Sequence, residues 1–396
     1  MIKKIMLLFG IAVILILIIL AVLTFLSNRP LTKVNAENHL QNYFAKKALK
    51  TNKTAFSGIQ VSITSGKKDF QFQFASGSGK RISQLDLSTP FHVASVGKLM
   101  TATLTYQLID EGVITLDTPI ADWLPPSTLE GLFDFKGIDY SKHVTIEHLL
   151  SHTSGVADYF DGTTTGAKKI SSAILQSPET FYHPLDLIAF TRDHQSALGI
   201  PGEHYAYSDT GYVLLGLIIE AVTGQSFENA LENRILRPIY MMDTYMTWRQ
   251  SPLNPATPPI ADIWLNGVEV GDYRSISADW SGGGLISTLE DLMRFSKALH
   301  GGDLISATSL KAMFSDQHVF EQGIYTGTGG MTVHFEKFFP LLRLPSVSGH
   351  IGVLSTHVFY DATTDTHIVM NFGSTDKMVD SFKALIEIMN TLQRIE

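Results

Sequence analysis

The 396-residue sequence contains no cysteine. Disulfides, a thiolate nucleophile, cysteine-ligated zinc and a cysteine-linked lipid anchor are therefore excluded. Charged residues are also scarce, at 17%, whereas hydrophobic residues make up 44% and are sufficient for a large core. Two catalytic motifs are missing as well. The sequence has neither the Gly-x-Ser-x-Gly elbow of α/β-hydrolases nor the His-Glu-x-x-His of helical zinc sites, which argues against both classes.

Positive charge is concentrated near the start of the chain. Residues 1–53 hold eight lysines and arginines and one acid, Glu37, although the whole chain carries a net charge of -8. The rest of the chain is therefore strongly acidic and gives no reason to expect nucleic-acid binding. The basic stretch, in contrast, favours contact with anionic lipid if a membrane lies beside it.

One long uncharged run, Ile5–Leu26, follows Lys3 and Lys4. At about 1.5 Å per residue it is long enough to cross a hydrocarbon core of roughly 30 Å. A cleaved signal peptide is the alternative, but its apolar region is normally only about 7–15 residues long. We expect a transmembrane signal anchor with a short cytoplasmic tail over residues 1–27 and a linker over residues 28–36. The protein is then a single-pass protein of the cell membrane with an extracytoplasmic catalytic domain, a placement that rests mainly on the chemistry below.

The remaining residues, 37–396, are predicted to form one domain with strands near both ends. Alternating apolar residues predict two strands at residues 59–63 and 70–74. Later strands and the two terminal helices are predicted at Val347–Val353, Thr356–Tyr360, His367–Phe372, Glu37–Leu49 and Asp376–Ile395. We therefore expect an α/β (α+β) fold, in which an antiparallel sheet from both termini is flanked by helices. A mainly helical subdomain of about residues 101–270 is inserted in it.

A helix with a serine at its start is predicted within Phe91–Gly112. Ser95 and Lys98 lie three residues apart, so their side chains share one face of the first turn and can hydrogen-bond. A hydroxyl at the positive end of a helix, with an amine one turn later, is a candidate activated nucleophile. The spacing alone is weak, because Ser-x-x-Lys also occurs at Ser65–Lys68 and Ser374–Lys377, in a predicted hairpin loop and a predicted helix start.

A second candidate group lies in PGEHYAYSDTGYVLLG, residues 201–216. Tyr207 and Asp209 precede an apolar helix there. A tyrosine beside a serine and a lysine can relay protons if positive neighbours lower its pKa from about 10. The alternative is a tyrosine at the edge of the core with Asp209 as the helix N-cap. Tyr159 and Asp161 have the same spacing but precede a glycine- and threonine-rich loop.

The third candidate is SGHIGV, Ser348–Val353, which enters a predicted strand. Gly352 allows another backbone or a ligand to approach closely, and the amide of Val353 after it is a candidate oxyanion donor. A similar sequence, His300-Gly301-Gly302, is better interpreted as the end of a helix.

Together and in this order, the three motifs resemble those of the penicillin-recognising serine hydrolases. The resemblance is to the class C β-lactamase, D-Ala-D-Ala carboxypeptidase and family VIII esterase branch, which carries Ser-x-x-Lys, Tyr-x-Asn and then Lys-Thr-Gly or His-x-Gly. The corresponding residues here are Ser95 to Lys98, Tyr207 to Asp209, and His350 to Gly352. Further similar stretches are HLLSHTSG and GGLISTLEDL, and the resemblance extends from about Glu37 to the C-terminus.

The resemblance implies a β-lactamase/DD-peptidase-like fold and a role for each matching residue. Ser95 attacks a carbonyl to form an acyl-enzyme, and Lys98 with Tyr207 takes its proton and passes it to the leaving group. Backbone amides of Ser95 and Val353 form the oxyanion hole. Neither a cofactor nor a metal is implied, and the expected partners are a small-molecule, peptide or ester substrate and the lipid bilayer.

Two departures from the family pattern affect the expected substrate. Asp209 replaces an asparagine, and a carboxylate only accepts hydrogen bonds, although it still pairs with Lys98. His350 and Ile351 replace Lys-Thr, which removes a fixed charge and a hydroxyl for a substrate carboxylate. Ester or peptide hydrolysis is therefore favoured over efficient β-lactam or D-Ala-D-Ala hydrolysis. The alternative is a catalytically weak, penicillin-binding-like sensor or wall-binding protein.

Three other features have alternative interpretations. His148 and His152 lie four residues apart, as metal ligands on a helix do, but buried hydrogen-bonding histidines are the favoured interpretation. The glycines at 282–284 lack the Lys-Ser sequel of a phosphate-binding loop and indicate a tight turn near the site. Phe335–Leu344 is apolar enough to be a wall of the site, a membrane-facing edge or core.

Overall fold

The computed structural model describes residues 29–49, 56–338 and 343–396. Its largest sheet is antiparallel, with eight strands in the order β10-β11-β12-β13-β14-β15-β1-β2. The strands are β1 (Gly58–Ser65), β2 (Phe70–Gly77), β3 (Phe91–His92), β4 (Asp134–Phe135), β5 (Ile138–Asp139), β6 (Tyr245–Met246), β7 (Trp264–Leu265), β8 (Val268–Glu269), β9 (Leu285–Ser287), β10 (His318–Glu321), β11 (Ile324–Thr326), β12 (Met331–Val333), β13 (Val347–Gly352), β14 (Thr356–Asp361) and β15 (Thr366–Asn371).

The helices lie mainly between β3 and β9 and at the two ends of the domain. They are α1 (Lys33–Ala48), α2 (Lys98–Asp110), α3 (Pro126–Leu129), α4 (Ile146–Leu150), α5 (Ile170–Gln176), α6 (Pro184–His194), α7 (Asp209–Thr223), α8 (Phe227–Leu231), α9 (Trp280–Gly283), α10 (Leu289–Gly301), α11 (Ala307–Met313) and α12 (Met378–Gln393). The helical part, from α2 to α9, overlaps the helical subdomain that the sequence predicts over residues 101–270.

The predicted sheet from both termini is confirmed. The N-terminal strand β1 pairs with the C-terminal strand β15, with Gln60 opposite Asn371, so strands far apart in sequence are neighbours in the sheet. In β2 the buried phenylalanines alternate with exposed glutamines, because successive side chains of a strand point to opposite faces. β1 is buried on both faces and lies inside the sheet.

Helices α1 and α12 cover one face of the sheet. Ala36, Leu40 and Phe44 recur every four residues on α1 and are fully buried, and the ring of Phe44 stacks on that of Phe72 at 6.0 Å. Helix α1 begins four residues before the predicted start, because the Thr32 side chain accepts from an amide in the first turn. The helix therefore includes part of the segment predicted as a linker.

A second core lies on the opposite face of the sheet, between α10 and the helical part. This core packs around α2 and α7, most of whose residues are buried. The sheet forms one layer and the buried helices α2 and α7 belong to the other, and the two layers meet along a boundary. The candidate site lies at that boundary.

The predicted transmembrane run, Ile5–Leu26, lies outside the described residues. Across residues 29–49, 56–338 and 343–396, no single helix combines the length and apolar composition needed to cross a membrane. One bent helix pair, Asp209–Thr223 with Phe227–Leu236, meets both criteria only jointly.

Candidate active site

Ser95 lies in a short 3-10 turn, Ala94–Gly97, that leads directly into α2. The preceding residue, Ala94, has a left-handed φ of 48°, which L-residues rarely adopt and which often marks a functional turn. The Lys98 ammonium donates to Ser95 Oγ at 3.3 Å and to the carbonyl of Gly282 at 2.7 Å. The sequence prediction that Ser95 and Lys98 share one face therefore agrees with this geometry.

Lys98 is completely buried and forms an ion pair with Asp209. Burial alone disfavours the ammonium, but the charge of Asp209, its hydrogen bond to Lys98 and the charge of Asp279 outweigh burial and raise the pKa of Lys98. Lys98 is therefore a firmly protonated ammonium at rest. The pairing of Lys98 with Asp209 agrees with the prediction from the sequence. The alternative role of Asp209, as the N-cap of α7, is taken by Ser208.

The Tyr207 hydroxyl donates to Ser95 Oγ at 3.1 Å, and its ring lies 5.2 Å from the Lys98 ammonium. The condition named above for proton relay, a pKa of Tyr207 lowered overall by positive neighbours, is not met. Burial raises the pKa of Tyr207, as does the charge of Asp209, and together they exceed the lowering effect of Lys98. At rest Tyr207 is thus a neutral phenol, so both partners of Ser95 carry their protons.

His152 holds the ring of Tyr207 in place. The two rings stack at 4.3 Å with an interplanar angle of 23°, and His152 Nδ1 accepts from the Ser208 amide at 3.1 Å. Its backbone has a left-handed φ of 58°. His148 lies one turn earlier, and its Nδ1 accepts from the Thr145 amide at 3.2 Å. No group of three or more possible metal-ligating side chains occurs among the described residues.

Two further aspartates surround the ion pair, and the sequence did not single them out. Asp158 Oδ1 accepts from the Asp209 amide at 3.1 Å. A Cβ placed on Gly282 would lie 3.2 Å from Asp209 Oδ1 and 3.6 Å from both Asp279 Oδ1 and Lys98 Nζ, so the three charged groups converge there. Burial is the main cause that raises the pKa of Asp158 to about 6 and that of Asp279 to about 7.

The end of β13 brings the third motif against Ser95. A Cβ on Gly352 would lie only 2.6 Å from the Val93 carbonyl and 3.5 Å from the Ser95 nitrogen, so only glycine allows this approach. Among the described residues, neither the Ser95 nor the Val353 amide has a backbone acceptor. These two N–H groups are consequently available to a ligand oxygen.

His350 and Ile351 differ in their position on β13. His350 is buried and donates from Nδ1 to the Ile351 carbonyl at 2.9 Å. Burial, helped by the charge of Lys98, lowers the pKa of His350 to about 3, so this residue is neutral near pH 7. The side chain of Ile351 instead lines a cavity of about 860 Å³ that also reaches Ser95, Tyr207 and Asp209.

The sequence also matches a known protein family over most of its length. A model of the Beta-lactamase family matches residues 38–392, so the chain belongs to this family, and the resemblance inferred from the motifs is confirmed. Penicillin-binding protein 4* of Bacillus subtilis (strain 168) is 27% identical over 299 residues. The match covers 72% of this chain and 60% of that protein, which is less than two thirds of the relative's length.

Solved structures share the fold. The D-amino acid amidase of Ochrobactrum anthropi SV3 has a TM-score of 0.71 at 19% identity, over 90% of this chain and 98% of that one. A D-stereospecific amidohydrolase from Streptomyces sp. has a TM-score of 0.67 at 25% identity, over 87% and 97% of the respective chains. The chain therefore shares the fold of the Beta-lactamase family with solved structures that are themselves named as an amidase and an amidohydrolase.

Proposed function

We propose that the protein is a membrane-anchored serine hydrolase that cleaves an ester or a peptide-type amide through an acyl-enzyme on Ser95. The observation that carries this proposal is the convergence of two proton-carrying groups on one hydroxyl. Lys98 Nζ and Tyr207 Oη lie 3.3 Å and 3.1 Å from Ser95 Oγ. These distances are within reach for direct proton transfer.

The proposed reaction starts with loss of one proton from the Lys98–Tyr207 pair, because both groups are protonated at rest. Ser95 Oγ then attacks the carbonyl carbon as its own proton moves to the pair, and the amides of Ser95 and Val353 stabilise the oxyanion. Collapse of the tetrahedral intermediate breaks the bond to the leaving group, which takes the proton from Tyr207. Water, deprotonated near Tyr207, then releases the acid and returns Ser95 to its hydroxyl form.

The surroundings of the site favour substrates without a carboxylate beside the scissile bond. The neutral His350 supplies no positive charge, Ile351 supplies no hydroxyl, and Asp209 can only accept hydrogen bonds. Simple esters and amides therefore suit the cavity better than β-lactams or D-Ala-D-Ala peptides. The amidase and amidohydrolase among the structural neighbours support the amide option, and cell-wall peptides remain candidate substrates.

The proposed location is the cell membrane, with a single N-terminal span and the catalytic domain extracytoplasmic. Support comes from the uncharged run Ile5–Leu26 and the basic residues beside it. Sedimentation of the full chain with membranes, followed by protease treatment of intact cells or spheroplasts, tests both parts. A catalytic domain that stays soluble, or that is protected from external protease, contradicts the location.

A catalytically weak, penicillin-binding-like sensor is the second candidate. The ion pair between Lys98 and Asp209 favours it, because a lysine held as an ammonium is a poor base. The two candidates differ in turnover. A sensor becomes acylated on Ser95 and then releases the acyl group slowly, whereas a hydrolase completes repeated turnovers.

A fluorophosphonate probe and p-nitrophenyl acetate test the proposal. We expect labelling and repeated release of p-nitrophenol by the natural chain, and loss of both in Ser95→Ala. Ser65→Ala is the matched control, because Ser65 belongs to another Ser-x-x-Lys and lies in β1. If Ser95→Ala is labelled as strongly as the natural chain, the assignment of Ser95 as the nucleophile is wrong. A single burst without turnover supports the sensor, and the mass of the acylated peptide identifies the modified residue.

A further inference from the structure

The cavity at Ser95 continues into an apolar arm lined by the sheet, a neighbouring turn and the C-terminal helix. We define the apolar arm by Ile324, Met331, Phe338, Ile351, Phe382 and Ile386. Four of these contact the core beneath α1 and α12 yet stay partly exposed, namely Phe338, Ile351, Phe382 and Ile386. The rings of Phe338 and Phe382 meet edge to face at 5.5 Å. The arm is thus a continuous apolar wall that faces open space.

Charge within the cavity is mostly negative, and its single positive side chain lies on α12 between the arm residues Phe382 and Ile386. Among the described lining residues the charged ones are Asp158, Asp161, Asp209, Asp279, Glu321 and a single lysine, Lys383. An anionic substrate group would be repelled by this set, since Lys98 is already paired with Asp209. The part of the cavity beside Ser95 therefore disfavours carboxylates, and the arm offers apolar surface instead.

Apolar side chains also extend to the mouth of the cavity. Val353, which supplies a proposed oxyanion donor, is 43% exposed, and Phe320 is 38% exposed. The ring of Phe320 lies 5.6 Å from that of Tyr207. Contiguous exposed apolar surface that leads into a concave site is typical of a ligand-binding groove. Here it begins beside the reacting hydroxyl and ends against α12.

We propose that the apolar arm binds a long hydrocarbon chain of a carboxylate-free ester or amide. The proposal rests on the hydrolase function above and adds its substrate class. The volume of about 860 Å³ is typical of pockets that enclose a drug-sized ligand. Each methylene group buried in the arm contributes up to about 0.8 kcal/mol, roughly a fourfold gain in binding. The chain belongs either to the acyl group or to the alcohol of the substrate.

Two ester series test the proposal and distinguish these options. The first varies the acyl chain in p-nitrophenyl acetate, butyrate and octanoate, and the second varies the alcohol in ethyl, butyl and octyl acetate. We expect kcat/KM to rise at least about tenfold from the shortest to the longest member of one series. The ratio of kcat/KM for the longest ester to that for the shortest falls about tenfold in Ile386→Trp, which fills the arm. Ile386→Asn lowers this ratio as well. Val113→Trp, at a position 47% exposed and outside the cavity, keeps the natural ratio.

The outcomes separate this proposal from the proposed function. Turnover of short esters with a flat dependence on chain length in both series overturns the arm and leaves the hydrolase intact. Absence of turnover and of fluorophosphonate labelling overturns the hydrolase. In that case, calorimetry of ethyl and octyl acetate on Ser95→Ala decides about the arm. Tighter octyl binding that Ile386→Trp weakens supports it, and equal affinities overturn it.

Discussion

The two sides of the cavity are built differently. The acidic side, with Lys98, Asp158, Asp209 and Asp279, comes from the helical part, and its groups are fixed by backbone hydrogen bonds and by one another. The apolar arm comes from the sheet and α12, and its side chains are held only by packing. Charges interact strongly in a buried site, so the groups that carry them need fixed positions. Apolar contacts need only area and a complementary shape. The helical part therefore carries the proposed chemistry, and the sheet with α12 carries the proposed substrate binding.

The largest expected effect comes from removing the charge on the acidic side. Lys98→Met deletes the ammonium and leaves Asp209 buried without its partner. Breaking a buried pair in this way typically costs about 3–5 kcal/mol of stability. The loss of a proton carrier lowers kcat/KM by about 10²- to 10⁴-fold. Denaturant unfolding and p-nitrophenyl acetate hydrolysis measure the two effects.

The double variant Lys98→Met/Asp209→Asn separates stability from chemistry. Because neither member of the Lys98–Asp209 pair then carries a charge, the double variant regains most of the lost stability. The proton carrier is still missing, so activity stays low. If the double variant recovers activity as well, Lys98 acts only as a structural partner of Asp209.

Asp209→Asn is expected to have a smaller effect than Lys98→Met, and this effect is a gain in the rate of acylation. The amide restores a hydrogen-bond donor for acylamide substrates, and loss of the negative charge lowers the pKa of Lys98. Because the amine is then deprotonated at lower pH, the acidic limb of the pH–rate profile moves to lower pH. We expect acylation by a fluorescent penicillin to rise about tenfold at neutral pH, which corresponds to a pKa change of about one unit.

Asp161→Asn is the matched control for this gain. It also removes a carboxylate from the cavity lining, but Asp161 pairs with Lys169 instead of Lys98. An unchanged response to a panel of β-lactams in Asp209→Asn, or an equal gain in Asp161→Asn, contradicts the role assigned to Asp209.

The sequence was sufficient for the main elements of the fold because they depend on local patterns. The alternating phenylalanines of β2 and the four-residue spacing on α1 each record burial on one face. The pairing of β1 with β15 followed from having strands at both termini. The start of α1 was missed, since a single threonine side chain determines it.

The site was only partly predictable. Ser95, Lys98 and Tyr207 occur in recognisable motifs, and the structure brings them together. Asp158 and Asp279 had weaker signals: the first adjoins Tyr159, and the second precedes the glycine turn at 282–284. Their convergence depends on how distant loops fold. The raised pKa of Tyr207 could not be predicted from the sequence because burial, its main cause, is a tertiary property.

The stack of His152 on Tyr207 provides a further test on the acidic side. His152→Ala removes the aromatic neighbour that orients the phenol, and aromatic pairs contribute about 0.5–1.5 kcal/mol. We therefore expect kcat to fall about two- to tenfold, with KM little changed because His152 does not line the cavity. His152→Phe keeps the stack and should recover most of the loss. If Phe and Ala variants behave alike, the Ser208 amide contact matters instead of the stack.

The smallest expected effect is a change in how stability depends on pH in Asp279→Asn. Burial raises the pKa of Asp279 to about 7, so between about pH 4 and 7 the folded state binds a proton that the unfolded state has lost. This carboxyl therefore makes the natural chain progressively less stable as pH rises through that range. An asparagine does not ionise, so the stability of the variant relative to the natural chain increases from pH 5 to pH 8.

Thermal unfolding of both chains at each pH measures this difference, with an expected relative gain in Tm of about 1–3 °C. The comparison is made between variant and natural chain because buried histidines, such as His350, contribute the opposite slope. The pKa of His350 is lowered to about 3, so its contribution to stability rises with pH up to its unfolded value. That contribution is common to both chains and cancels in the difference. A Tm difference that stays constant from pH 5 to pH 8 means that Asp279 does not titrate in this range and contradicts a pKa of about 7 for it.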